Sequence, residues 1–256
     1  KRLEELTDET ERKDFEKTYR ETIRTKACDT IRIVLPTATL TNVGLFANGR
    51  ALQGLLTSLY SYPLAETQTI AAQMHTESNK HIKRYVQRAK RDEYIVTTRN
   101  EMQKLADELF KDIKPESEEP IVLLEHPKTE QEREDFKLAS MLFPFLTHPT
   151  KQIRKVIGNF PQETKEKISD TYIGERRNRR DRAGRGLEYG YEFTFDLIGN
   201  FGIYRDLHRH RMLTQQRQKL TTRLEFFVPQ EIYDVKLADS VWEAESRSSE
   251  LYERIE

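Results

Sequence analysis

The stretch YEFTFDLIGNFGIYRDLHRHRMLTQQRQKLTTR, residues 191–223, decides the predicted fold. Its apolar residues Phe193, Phe195 and Leu197 alternate with polar ones, which is the period-two pattern of a strand with one buried face. Two glycines end this strand before a polar, basic segment. We therefore expect residues 191–198 to form a strand of a mainly antiparallel sheet flanked by helices, in an α/β (α+β) fold with long charged amphipathic helices.

The second half of this stretch is rich in positive charge. From residue 209 to residue 223 it carries five cationic side chains and no acidic one. They are Arg209, Arg211, Arg217, Lys219 and Arg223. Arginine supplies planar, bidentate donors, and exposed backbone N–H groups after a glycine turn add to them, so the segment suits a phosphate. The alternative, with equal weight on chemistry alone, is a basic helix face that only contacts water.

At this point the chain resembles a known family. The order strand, glycine, Arg205-x-x-x-Arg209-His210-Arg211 resembles the signature of the flavin-dependent thymidylate synthases, the ThyX family. Thr214 and Gln216 stand where that family commonly has Ser and Asn. In the family the motif binds the flavin and the pyrimidine nucleotide. The resemblance therefore implies a set of cofactor-binding residues in this half of the chain, namely Arg209, His210, Arg211, Thr214 and Gln216.

An earlier segment carries a second resemblance. RIVLP at residues 32–36, followed by Thr-Asn and by NGRAL at residues 48–52, resembles the C-terminal part of the same catalytic unit. The matching residues are Arg32, which the resemblance assigns to the nucleotide, and Asn48 and Arg50, which it assigns to the flavin. The alternative for Arg32 is an ordinary surface residue beside an apolar run.

The chain also departs from the family pattern. The arginine that activates the pyrimidine is replaced near Ile70, Asp206 replaces the usual Gln before the motif, and Lys219 occupies the serine position seven residues after it. Losing a charge-stabilising group can cost several kcal/mol of transition-state stabilisation. Arg223 lies two residues beyond the family's later arginine. The resemblance still implies a nucleotide-binding set, namely Arg32, Arg205, Lys219 and Arg223; it assigns no catalytic residue.

The order of the motifs is reversed, because the family's late-half motifs come first here and the Arg-His-Arg half comes last. The resemblance covers about residues 26–75 and 174–230. We expect a divergent, tandem-duplicated member of which this chain is a fragment, since the chain has no initial Met; a permuted unit is the alternative. The predicted segments are 1–113 (late half), 114–173 (linker, strand and helices) and 174–256 (early half). In the first, the pattern turns helical from Asn48 onward. In the second, residues 114–120 are the predicted linker, 121–126 a strand, and Thr129 with Glu132 a capping box that opens a helix through Leu142.

Composition restricts the function classes. The 256 residues include 43 Lys plus Arg and 43 Asp plus Glu, so zero net charge argues against nucleic acid or a membrane as the partner. Nucleic-acid binding through residues 174–223 stays a minor alternative that requires a steep salt dependence. The single cysteine, Cys28, excludes an internal disulfide and fits a cytoplasmic protein. Histidine spacing does not favour a metal site.

The function that the resemblance implies is FAD-dependent methylation of dUMP to dTMP, with methylenetetrahydrofolate as donor and NADPH as reductant. It also implies a homo-oligomer or tandem-domain pairing, in which Arg32, Asn48 and Arg50 converge with Arg209 and its neighbours on one ligand. Two alternatives remain open. One is a degenerate homologue that binds flavin or nucleotide without synthase activity, and the other is different flavin chemistry on the same scaffold.

Overall fold

A computed structural model describes residues 8–36, 39–40, 42–189, 193–210, 212–224 and 226–255. Over these residues the protein is mostly helical and has one small antiparallel sheet, so the α+β class is confirmed. The helices of the described part are α1 Glu9–Ile31, α2 Gly49–Tyr60, α3 Ala65–Val86, α4 Glu93–Phe110, α5 Glu130–Leu142, α6 Thr150–Gly158, α7 Gln162–Ile173, α8 Phe201–Leu207, α9 Gln230–Asp234 and α10 Ala238–Ile255.

The sheet has two strands in the described part of the chain, β1 (Ile121–Leu124) and β2 (Thr194–Leu197). They pair antiparallel, with Ile121 opposite Leu197 and Leu123 opposite Phe195. The predicted strand at 191–198 is therefore present, although Tyr191 and Glu192 lie outside the described residues. Its predicted buried face is wrong, because Phe195 and Leu197 are exposed.

The chain divides into two compact units. One takes the described residues of Lys1–Val43 and Leu220–Glu256, and the other takes those of Gly44–Lys219. Each unit takes residues from more than one of the predicted segments 1–113, 114–173 and 174–256. The division into those segments was inferred from the order of the family motifs, and it stays a prediction. The segment 114–120, expected to be a linker, is attached to α6: the Gln152 side chain donates to the Lys114 carbonyl and accepts from the Glu116 amide.

The first unit has a small apolar cluster. Val228, Ile232 and Val241 are buried in it, with Ile33 and Phe226 packed alongside. An exposed ion pair joins α1 to α9, with Lys26 Nζ at 2.6 Å from Glu231 Oε1. Such exposed pairs contribute little stability, so the cluster is the main packing of this unit.

The second unit has the larger core, built by α4, α5, α6 and α7. Its buried residues come from the inward faces of these helices and are Met102, Leu105, Ala106, Phe110, Leu138, Ala139, Met141, Leu142, Leu146, Ile153, Ile157, Ile168 and Tyr172. The predicted capping box at the start of α5 is confirmed: Glu132 N donates to Thr129 Oγ1, and the Glu132 carboxylate accepts from Thr129 N.

A second cluster in this unit joins α2 to α3. Leu56 and Ala71 are fully buried there, together with Val86 just before the chain turns towards α4. Gly49 opens α2 against the Tyr85 ring, where an added Cβ would lie 2.7 Å from the ring Cγ. The glycine of the NGRAL segment is therefore required by close packing between α2 and α3, whatever its neighbours bind.

The sheet is anchored to the larger core through a helix cap. Helix α6 follows Pro149 and has no side-chain cap from its own segment. Asp196 of β2 supplies one instead, because its Oδ2 accepts from Thr150 N at 2.8 Å. Glu118 lies beside the same carboxylate, and its pKa is raised by burial and by the charge of Asp196 and the hydrogen bond to it. One face of β2 is thus tied to α6 by polar contacts.

Candidate functional site

The Arg-His-Arg motif begins on an exposed turn that follows α8. Asn200 caps the start of this short helix, since its Oδ1 accepts from Ile203 N at 2.9 Å. The chain then turns back: Arg209 N donates to the Asp206 carbonyl and His210 N donates to the Leu207 carbonyl. Helix cap and turn together present the Arg209 and His210 side chains to solvent.

A concavity of about 740 Å³, open to solvent, lies at this turn. Within the described part of the chain it is lined by Arg209, His210, Met212 and Leu213. Arg211 lies outside the described residues. The lining combines a fixed positive charge and an imidazole with two apolar side chains. That combination suits a ligand with an anionic group attached to a flat, apolar ring.

Arg209 has one partner in this turn. Its Nη2 lies 3.5 Å from Asp206 Oδ1, and both side chains are about three-quarters exposed. An ion pair this exposed is weak, so the guanidinium can exchange the carboxylate for a phosphate at little cost. Asp206 is also one of the residues at which the chain departs from the ThyX motif. Its negative charge opposes the binding of an anionic ligand.

The segment after the turn is held by contacts that the sequence did not predict. The Tyr189 hydroxyl donates to the Thr214 carbonyl at 3.1 Å, and Thr214 Oγ1 donates to Glu188 at 3.4 Å. Burial raises the pKa of Tyr189 to about 12, so the hydroxyl keeps its proton as a donor. Gln218 adds a bond from its side chain to the His148 carbonyl at 2.8 Å. Thr214, expected at the cofactor, therefore anchors this segment.

An aromatic residue of α8 also contributes to the region. The Arg217 guanidinium lies over the Tyr204 ring, 5.6 Å from its centroid, and Gln215 donates from its side chain to the Leu207 carbonyl. Arg217 belongs to the basic run of the sequence. Its contact with Tyr204 could not be predicted from sequence spacing, because the turn after α8 brings the two residues together. Gln216, another predicted cofactor residue, is half-buried.

The residues from the NGRAL segment lie at the start of α2. Asn48 Oδ1 accepts from Ala51 N at 2.9 Å and is the N-cap of the helix. Arg50 is exposed on the first turn. Neither is among the described residues that line the concavity at Arg209. The structure thus shows a local role for Asn48, and the convergence of the two half-motifs on one ligand stays a prediction.

The remaining predicted nucleotide-binding residues are all exposed. Arg205 lies on α8, and Lys219 follows the anchored segment in the larger unit. Arg32 and Arg223 belong to the smaller unit; Arg32 Nη2 is paired with Asp29 Oδ1 at 2.7 Å, and Arg223 N donates to Thr221 Oγ1. Their assignment to the nucleotide stays a prediction.

The described residues form neither a metal-binding cluster nor a helix suited to a membrane. They contain no cluster of three or more His, Cys, Asp or Glu side chains that could hold a metal ion. Among their helices, none has the length and apolar character needed to cross a membrane.

Comparison with known proteins gives three relatives. The chain is 34% identical over 246 residues to a UPF0159 protein of Chlamydia muridarum and 34% identical over 242 residues to one of Chlamydia pneumoniae. It is 30% identical over 227 residues to a UPF0159 protein of Thermoplasma acidophilum. These alignments cover 87–93% of this chain but only 44–46% of the relatives, so the chain spans about half the length of the proteins it matches.

The names of these relatives state no activity. No family model matches the chain, and no solved structure matches it. The class that fold and site define is thus an α+β protein with an exposed basic turn that lines an open concavity of mixed polarity.

Proposed function

We propose that this chain is a flavin- and nucleotide-binding part of a protein that resembles the flavin-dependent thymidylate synthases. The observation that supports this most is the concavity at the motif, where Arg209 and His210 lie beside Met212 and Leu213. Arg209 and His210 of the motif are therefore exposed at an open concavity, where a ligand can reach them. The reaction we propose is methylation of dUMP to dTMP with a folate donor and NADPH.

The donor set fits FAD. Its phosphates need cationic donors, which Arg209 supplies, and its flat rings need apolar contact, which Met212 and Leu213 supply. When bound, the flavin carries the hydride, and the protein contributes binding and orientation. His210 lies in the same lining and can donate to a phosphate or ring oxygen through either ring nitrogen.

A second candidate function is flavin or nucleotide binding without synthase activity. Two observations favour it: Asp206 pairs with Arg209 where the family has an uncharged Gln, and Lys219 is exposed at the family's serine position. Both change the charge around the motif, and a change of charge at a site that stabilises a charged transition state lowers the rate.

Titration calorimetry of the chain with FAD and with dUMP tests the binding step. We expect Arg209→Ala to weaken at least one of the two affinities about tenfold to a hundredfold, equivalent to roughly 1–3 kcal/mol, the range for a charge-assisted hydrogen bond. Arg177→Ala is the matched control, because Arg177 is likewise 76% exposed and paired with one carboxylate, Glu175. Unchanged affinity for both ligands would show that the motif is only a solvated basic turn.

A second variant tests the competing carboxylate, and an assay for dTMP separates the two candidate functions. Asp206→Gln removes the competing carboxylate and is expected to tighten flavin or nucleotide binding several-fold, since Arg209 is then free to pair with phosphate. The purified protein should show flavin absorption near about 370 and about 450 nm. Flavin binding with no dTMP formed from dUMP, folate donor and NADPH would contradict the synthase and support the second candidate.

A further inference from the structure

The sheet exposes an apolar face to solvent. Its side chains are 45–81% exposed and are Ile121 (69%), Leu123 (53%), Phe193 (81%), Phe195 (56%) and Leu197 (45%). The register places Ile121 opposite Leu197 and Leu123 opposite Phe195, so these four side chains share one face of the sheet. Phe193 immediately precedes β2 and extends the patch along the strand. We refer to these five residues as the sheet face.

The opposite side of the sheet faces the protein with more polar residues. Leu124 is buried there opposite half-buried Thr194, and half-buried Val122 lies opposite half-buried Asp196. Asp196 is hydrogen-bonded to Thr150 N, which holds the strand in this orientation. A shift of one residue in β2 would turn its apolar side chains inward. The Asp196 cap therefore holds the aromatic side chains of β2 outward.

The sheet face is large for a surface patch. An aromatic side chain can bury about 150–250 Å², so five side chains with these exposures present roughly 500 Å² of apolar surface. That lies at the upper end of the largest patches on monomeric proteins, about 300–600 Å². It is more than half of the roughly 800 Å² that each partner buries in a standard interface. The face is therefore large enough to form the apolar centre of a dimer interface.

We propose that the sheet face is covered by the same face of a second copy of this chain, in a symmetric dimer. An apolar face that meets its own copy is self-complementary, as a two-fold interface requires. The chain has 43 cationic and 43 anionic side chains, so two copies do not repel each other through net charge. A two-stranded sheet is marginally stable alone, and packing against a partner supplies the burial that it lacks within the described chain.

Sedimentation equilibrium of the purified chain tests the dimer. The buffer contains a reductant, because Cys28 is exposed and a disulfide between copies would imitate association. We expect a monomer–dimer equilibrium for the unaltered chain, and Phe195→Glu should raise the dimer dissociation constant at least tenfold by placing a charge in the apolar centre. Phe227→Glu, at another exposed phenylalanine, is the control and should leave the constant unchanged.

A second variant guards against unfolding. Leu123→Thr combined with Phe195→Thr removes the apolar groups but keeps residues that favour strands. Its circular dichroism should match that of the unaltered chain, while its dissociation constant also rises at least tenfold. A monomer at concentrations up to about 100 µM, a range that reveals even weak association, would overturn the proposal. Equal weakening by Phe227→Glu would overturn it as well.

Discussion

The helical core and the sheet belong to the same compact unit, but the core buries its apolar side chains and the sheet exposes most of its own. Leu142, Ile153 and Ile168 are fully buried between helices, whereas Phe195 and Leu197 on β2 are exposed. Both sets follow regular periodicity along the chain. Periodicity therefore identifies an apolar face, while only the elements that meet in space determine whether that face is covered.

The physical reason lies in how each element satisfies its polar groups. In their interiors the helices α4–α7 satisfy their own backbones, so they can turn their apolar faces towards one another. The strand β2 is tied to α6 by Asp196, which accepts from Thr150 N, and this bond determines which side of the strand faces inward. The side of β2 that carries this part-buried bond faces the helices, and the alternating apolar side chains face the other way.

The largest effect is expected from a truncation in the helical core. Leu142→Ala should lower the free energy of unfolding by about 2–5 kcal/mol, because Leu142 is fully buried and its loss leaves a cavity. Leu197→Ala on the sheet face should cost less than about 1 kcal/mol, since little burial is lost. Urea denaturation of both variants at concentrations that keep the chain monomeric measures the difference. Equal losses would mean that the sheet is packed as tightly as the core.

An intermediate effect is expected at the bond between the two regions. Asp196→Ala should destabilise the chain by about 1–3 kcal/mol, because it leaves the buried Thr150 N–H without an acceptor. Asp196→Asn keeps an acceptor oxygen and is the matched variant, for which we expect a smaller loss. Hydrogen exchange of the Thr150 amide reports the bond directly. If that amide exchanges equally fast in the unaltered chain and in Asp196→Ala, the cap does not hold the sheet.

The smallest effect concerns Glu118, which lies beside Asp196. Burial first, and then the charge of Asp196, raise the pKa of Glu118 above its ordinary value of 4.5. A folded-state pKa above the unfolded one means that the folded protein binds the proton more tightly. This group's contribution to stability is therefore full below 4.5 and is lost as pH rises through the folded-state pKa.

Glu118→Gln, which cannot ionise, tests this sign. It should melt at a higher temperature than the unaltered chain near about pH 7, and the gap should narrow as pH falls towards 4.5. Thermal melts at both pH values measure the gap. A gap that widens with falling pH would show that ionised Glu118 is stabilised by a cation, for which Lys151 is the candidate because its charge favours the ionised carboxylate.

Much of the local structure could be predicted from the sequence. The strands at 121–124 and 194–197, the capping box of Thr129 and Glu132, and the helix that starts after Asn48 all follow from patterns within a few residues. The exposed turn at Arg209 and His210 was found in the same way, through a motif within one short segment. These features depend on hydrogen bonds and side-chain spacing between near neighbours in the chain.

Only the tertiary structure decided which faces were covered and what held the site. The caps and contacts of Asp196 with Thr150, Tyr189 with Thr214 and Arg217 with Tyr204 join residues that are distant in sequence. No periodic pattern encodes such pairs, because each depends on where two separately folded segments meet. In this protein, patterns within short segments encode the helices, the strands and the basic motif, whereas a bond between distant residues, from Thr150 N to Asp196, holds β2 with its apolar face outward.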